Sequence, residues 1–150
     1  LKIYSPKNKT GKFLTNCRAE DVGEIESLAD DGEILVISKS YKDCRVLRNQ
    51  DLNCIWFQNE GMMPPDEILA DLGSRFEYII VFFDNDDAGI NAAKVVVDRI
   101  NSLYPGKTFS VHLPLELLEQ NITDPSDLIK EKGKVALTKF LEKNNFYGLE

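Results

Sequence analysis

Histidine and cysteine are scarce in this chain, and their scarcity removes several chemistries at once. With one histidine, His112, and no nucleophile-elbow pattern, serine and cysteine nucleophile mechanisms have little support. His112 lies in an alternating, strand-like stretch and reads as structural. Cys17, Cys44 and Cys54 are odd in number and share no CxxC spacing, so reduced thiols are expected rather than disulfides or a zinc site. The GxxxxGK pattern of a phosphate-binding loop does not occur. No apolar run approaches the ~18 residues of a membrane span, so no membrane partner is expected. The chain starts at Leu1 rather than Met and no signal-peptide pattern follows, from which a segment of a longer protein is expected.

What is present suits a globular domain with a proper core: 150 residues, 43% of them hydrophobic. The net charge of −7 argues against broad, nonspecific affinity for nucleic acid. The charge is uneven. Residues 1–18 hold Lys2, Lys7, Lys9, Lys12 and Arg18 and no acid, which leaves 13 basic against 25 acidic residues in the remainder. That arm suits a phosphate backbone, or it is a solvated edge. Residues 1–28 read as a preamble of short strands carrying this arm, and residues 29–150 as an α/β domain with a helical tail.

Strand and helix patterns alternate along the chain. Strands are expected at Leu1–Tyr4, Lys12–Thr15, Glu33–Ser38, Asn53–Phe57, Glu77–Phe83 and Thr108–Leu113. Helices are expected at Lys42–Arg48, Asp66–Leu72 and Asp87–Leu103, with Asp66 as a cap, and in a tail broken at Asp124-Pro125 and at Gly133. Such alternation implies parallel pairing through right-handed crossovers. The fold class expected is α/β, with a central, mostly parallel sheet and flanking helices.

The segment Glu77–Lys94 carries the strongest chemical signal. The run from Tyr78 to Phe83 reads as a strand buried on both faces, and it stops at Asp84-Asn85-Asp86-Asp87. Ligands of open α/β sheets bind beyond the carboxyl ends of such strands. Three carboxylates there, with no base among them, repel one another unless a cation intervenes. Magnesium or manganese, which accept carboxylate oxygens, suits the position. Asp84 and Asp86 stand two apart and can reach one ion, with Glu60 on a neighbouring strand end as a further oxygen donor. The competing reading is a helix cap, Asp86 or Asp87, worth about 1 kcal/mol. Lys39, Lys42, Arg45 and Arg48 fall at spacings of three, a basic stripe that either steers a nucleic-acid backbone or is a solvated face.

Asp84-Asn85-Asp86-Asp87-Ala88-Gly89 after a hydrophobic strand resembles the DxDxAG motif of the TOPRIM (topoisomerase–primase) domain. The family's EGxxD motif corresponds to Lys39-Ser40-Tyr41-Lys42-Asp43, where Asp43 matches the aspartate, Lys39 replaces the glutamate and Ser40 the glycine. Thr123-Asp124-Pro125-Ser126-Asp127 is similar to the KDPDE motif of primase-type members, matching at Asp124 and Pro125 with the next acid displaced to Asp127. The resemblance spans roughly residues 33–133 in order and spacing. The preamble LKIYSPKNKTGKF resembles the segment leading into this domain in phage and prophage primase-like proteins. What the resemblance implies is metal-dependent, template-directed RNA primer synthesis at DNA replication. Asp84, Asp86, Glu60 and Lys39 would be catalytic, and Asp84, Asp86, Glu60, Asp124 and Asp127 would hold Mg2+ or Mn2+. Lys39, Lys42, Arg45 and Asp43 would contact phosphates or nucleic acid. Single-stranded DNA and nucleoside triphosphates are the implied partners, with a replicative helicase beside them, in the cytoplasm of a bacterial or phage-infected cell.

Lys39 opens two accounts, because an ammonium does not replace a carboxylate. In one, Glu60 takes over the missing carboxylate while Lys39 contacts a triphosphate. In the other, Lys39 neutralises Asp84 or Asp86 in place of metal, and the domain is a binding or scaffolding module. A TOPRIM nuclease, using the same acids to activate water, is a further rival.

Overall fold

Long apolar runs at the centre of the chain become strands with both faces covered. A computed structural model describes residues 2–11, 13–59 and 61–148, so Leu1, Lys12 and Glu60 of the expected elements and site lie outside the described residues. Strands β1 (Lys2–Tyr4) and β2 (Phe13–Thr15) form a small antiparallel ribbon. Strands β3 (Gly32–Ser38), β4 (Asn53–Trp56), β5 (Phe76–Phe82) and β6 (Thr108–Ser110) form a parallel sheet in the order β4-β3-β5-β6. Helices α1 (Tyr41–Arg48), α2 (Asp66–Arg75), α3 (Asp87–Leu103), α4 (Pro125–Lys132) and α5 (Lys134–Lys143) connect and cover it. The fold is α/β, as the alternation of patterns predicts. None of the described helices is long and apolar enough to cross a membrane.

Alternate residues of each central strand supply two separate cores, because successive side chains point to opposite faces. Leu35, Ile37, Ile79, Val81 and Phe83 pack on one face against Leu69 and Leu72 of α2 and Ala93, Val96 and Ile100 of α3. Val36, Ile80 and Phe82 pack on the other face against α1, α4 and α5 through Cys44, Leu47, Leu128, Leu137 and Leu141. The ring of Phe82 stacks on Phe140 at 5.6 Å and lies 5.2 Å from Phe146. Burial on both faces is the reason the strands read as unbroken hydrophobic runs.

Some boundaries differ from expectation for local reasons. Strand β6 ends at Ser110, short of Leu113. Pro65, not Asp66, stands at the N-cap of α2, and the Asp66 carboxylate instead accepts from the Arg99 guanidinium of α3. Gly133 separates α4 from α5 at φ 88°, a left-handed conformation that glycine adopts without strain. Lys2 donates to the Gln58 carbonyl and lies over the Trp56 ring, which ties the ribbon to the end of β4.

Candidate functional site

The two central strands feed connections that leave in opposite directions. After β3 the chain passes through α1 to β4 on one flank, and after β5 it passes through α3 to β6 on the other. Since α1 and α3 cover opposite faces, a crevice opens between the carboxyl ends of β3 and β5, the switch point where open α/β sheets bind ligands. Lys39 leaves the end of β3 there and Asp84 the end of β5, and Lys39 Nζ donates to Asp84 Oδ2 at 2.6 Å.

Three carboxylates converge in this crevice. Asp43, Asp84 and Asp124 are all buried, and each brings a carboxylate oxygen within 4.8 Å of the others. Each is placed by local chemistry. Ser40 caps α1, its Oγ accepting from Asp43 N at 3.2 Å while donating to Asp43 Oδ2 at 2.6 Å, a reciprocal cap that fixes the carboxylate. Ser126 adds a second hydroxyl to the same group, donating to Asp43 Oδ1 at 2.7 Å. Asp124 caps α4, accepting from Asp127 N at 2.7 Å through Oδ1. Asp127 in turn accepts from Thr123 N and Oγ1, closing that turn.

Asn85 brings Asp124 to Asp84. Its backbone N–H donates to Thr123 O at 3.1 Å, and its side-chain amide donates to Pro114 O and Ile122 O at 3.2 Å each. The loop before α4 is thus bound to the residue that follows Asp84. Gly89 permits the approach of α3 on the same side: a Cβ on it would lie 2.3 Å from the Asp84 carbonyl oxygen. Asp86 caps α3, accepting from Gly89 N at 2.8 Å.

The electrostatics are unfavourable to a bare anionic cluster. Burial pushes Asp84 up from 3.8 to about 6, against the opposing hydrogen bond and charge of Lys39 and with the help of Asp124 and Asp43. Asp43 is also raised, by burial first and then by Asp124, against its two serine hydrogen bonds and Lys42. Burial pulls Lys42 down, but its hydrogen bond to Asp124 and the surrounding carboxylates carry it above its ordinary value. Lys42 Nζ stands 3.0 Å from Asp124 Oδ2. Asp84 Oδ1 is buried with no hydrogen-bond partner. Three hard oxygen donors, one of them orphaned, match what Mg2+ and Mn2+ accept.

The candidates named from sequence thus separate. Asp84, Asp124, Lys39, Lys42 and Asp43 meet at one place, with Asp43 among the converging carboxylates and not only beside the phosphate-contact lysines. Asp86 and Asp127 face backbone donors at helix starts, Arg45 is exposed, and Glu60 lies outside the described residues. Arg48 leaves the basic stripe altogether. Its guanidinium binds the carbonyls of Cys54 and Glu24 and the Ser27 hydroxyl, anchoring the loop before β3. His112 follows β6 and is not one of the converging ligands. Sequence reasoning missed Asn85 and Ser126. The signal for Ser126 was its place inside the Asp124-Pro125-Ser126-Asp127 cap, whereas Asn85 reads as a spacer until its carbonyl partners are known.

The geometry defines an α/β protein with an acidic, lysine-lined site at the switch point of a parallel sheet. No family model matches the chain, and no curated protein sequence does. Solved structures do. The primase fragment of the bacteriophage T7 primase-helicase protein is 16% identical at a TM-score of 0.64, over 85% of this chain and 51% of that one. The zinc-binding and RNA polymerase domains of the Aquifex aeolicus primase are 20% identical at 0.66, over 91% and 34%. The DnaG primase catalytic domain bound to ssDNA is 18% identical at 0.66, over 91% and 44%. The chain shares the fold of primase catalytic cores. It spans about half, or less, of the length of each of these structures.

Proposed function

We propose that this chain is the TOPRIM-type catalytic part of a primase-like protein, acting in metal-dependent, template-directed RNA primer synthesis. The observation that carries the reading is the convergence of Asp43, Asp84 and Asp124 from three separate elements at the sheet's switch point. A stable fold has little use for three buried carboxylates within reach of one oxygen-binding cation, and Asp84 has an oxygen without a donor. The likeness of fold to primase catalytic cores supports the same reading.

Asp43, Asp84 and Asp124 would hold the Mg2+ or Mn2+, with Asp127 on the same turn as Asp124 and Glu60 retained from the sequence as a further acid. When bound, the cation neutralises triphosphate charge and polarises the phosphoryl group under attack by a 3′-hydroxyl. The chain's own residues do the positioning. Ser40 and Ser126 orient Asp43, Asn85 binds the Asp124 loop to the end of β5, and Asp86 starts α3 beside the site. Lys39 and Lys42, already at the carboxylates, would contact the phosphates of the anionic ligand, with the exposed Arg45 as a further candidate from the sequence. Single-stranded DNA and nucleoside triphosphates are the partners, with a helicase in the wider assembly.

One observation favours a second reading. The 2.6 Å contact between Lys39 and Asp84 is the arrangement expected of a binding module in which lysine stands in for metal. Manganese titration monitored by electron paramagnetic resonance separates the two, followed by primer synthesis from nucleoside triphosphates on single-stranded DNA. Catalysis predicts Mn2+ bound by the chain, lost in Asp84→Asn, and labelled primers that depend on it. Failure to bind Mn2+ at any pH between 6 and 8, with and without a nucleoside triphosphate, defeats the catalytic reading. Wild-type primer yield from Glu60→Gln defeats the role of Glu60.

A further inference from the structure

We propose that Lys39 and Lys42 are tethered counter-ions, displaced together when a divalent cation enters the cluster, so that the cation and a polyphosphate are taken up as a unit. The inference rests on the cation-site reading above and adds to it the device that sets when the site is filled.

The two lysines divide the carboxylates between them. Lys39 Nζ stands 2.6 Å from Asp84 Oδ2 and Lys42 Nζ 3.0 Å from Asp124 Oδ2, while Asp43 is served by the neutral hydroxyls of Ser40 and Ser126. The side chains of Asp84 and Asp124 are only 11% and 12% exposed, whereas those of Lys39 and Lys42 are 30% and 58% exposed. The ammonium groups therefore reach in from the solvent side on flexible stems, and the acids are fixed by the fold. Departure of a lysine from its carboxylate returns rotamer freedom to a side chain that gains much from it.

Charge then couples the two ligands. The three converging carboxylates and the two ammonium groups sum to one negative charge, and a divalent cation added to those five groups brings the sum to one positive charge. Without an anion, the cation must compete against two resident positive charges, and its affinity is lowered accordingly. A polyphosphate changes the balance, because it accepts the displaced ammonium groups as well as the cation. By linkage, the factor by which polyphosphate strengthens cation binding equals the factor by which the cation strengthens polyphosphate binding. A site of this design binds free metal weakly and a metal–triphosphate pair tightly. A glutamate at position 39 would produce the opposite behaviour, a site that binds metal on its own.

The test uses Mn2+ alone and labelled ATP, with the wild-type chain, Lys39→Met, Lys42→Met and Asp84→Asn. Free Mn2+ is followed by electron paramagnetic resonance, and ATP by equilibrium dialysis with and without Mn2+. Lys39→Met is expected to bind Mn2+ about tenfold tighter than wild type without ATP, a coupling of ordinary size, and to lose most of the gain in ATP binding that Mn2+ confers. Lys42→Met moves the same way by less, since Lys42 is the more exposed, and Lys39→Gln repeats the measurement with a polar stem. Mn2+ affinity in Lys39→Met equal to or below that of wild type, at a site still abolished by Asp84→Asn, overturns the exchange and leaves the cation site standing. No Mn2+ binding in wild type, Lys39→Met and Lys42→Met alike removes the cation site, and the exchange with it.

Discussion

The faces of the sheet and the edge where its strands end obey opposite rules. On the faces, apolar side chains from β3 and β5 are packed between helices, and every buried group helps to hold the fold. At the edge, three carboxylates are buried close together, two of them pushed up in pKa. The faces are built for stability; the edge costs stability. Proteins store such unfavourable arrangements at functional sites, where the binding of a partner relieves them.

The contrast is broken most forcefully from the faces. Phe146→Ala removes a ring that is 1% exposed and packed against Phe82 and Phe140, and it is expected to cost about 3–5 kcal/mol in urea unfolding. Mn2+ affinity of the molecules that remain folded should not change; a parallel loss would show that faces and edge are one unit. Gly89→Ala tests the junction between them. Its methyl group would meet the Asp84 backbone, so α3 must shift, at about 2–3 kcal/mol by the usual cost of overpacking. Here Mn2+ binding should fall as well, because the displaced atoms belong to Asp84.

The edge itself should respond with the opposite sign. With its pKa raised from 3.8 to about 6, Asp84 holds a proton in the folded chain over a range where the unfolded chain has already released it. Stability therefore falls as pH rises from about 4 through 6, and the loss is complete above that range. Asp84→Asn is expected to stabilise the metal-free chain by about 1–3 kcal/mol at pH 7.5 and to lose that advantage at pH 4, while abolishing Mn2+ binding. A destabilised Asp84→Asn at pH 7.5 would mean that the Lys39 contact outweighs burial. The smallest effect is reserved for Asp86→Ala, which removes a cap worth about 1 kcal/mol. If its loss of Mn2+ affinity exceeds what that destabilisation explains, Asp86 is a ligand and its capping contact is not its whole role.

Much of this was legible in the chain. The apolar runs at Glu33–Ser38 and Glu77–Phe83 predicted strands, the second of them buried on both faces, and the abrupt change to aspartate fell at the strand end where carboxylates converge. The motif resemblance around Asp84, Asp43 and Asp124 agreed with the fold that comparison to primase cores shows. The separate fates of Asp84 and Asp86 were not legible. Both precede the same helix, and only the turn at the end of β5 decides that one carboxylate faces the crevice while the other closes the first turn of α3. The basic stripe was likewise indivisible in one dimension, because nothing in the spacing of Lys39, Lys42, Arg45 and Arg48 tells a counter-ion from a loop anchor.

The sequence by itself determined the alternation of strands and helices, the apolar run that β5 buries on both faces, and the candidate caps Asp86 and Asp87 of the helix after it. These follow from local periodicity and from hydrogen bonds made within four residues. Only the tertiary structure decided that Asp43, Asp84 and Asp124 meet, that Lys39 and Lys42 lie among them, and that Asn85 binds two distant loops together. Those contacts join residues 29 to 83 positions apart, and the position of each depends on how helices on opposite faces bring the strand ends to one crevice.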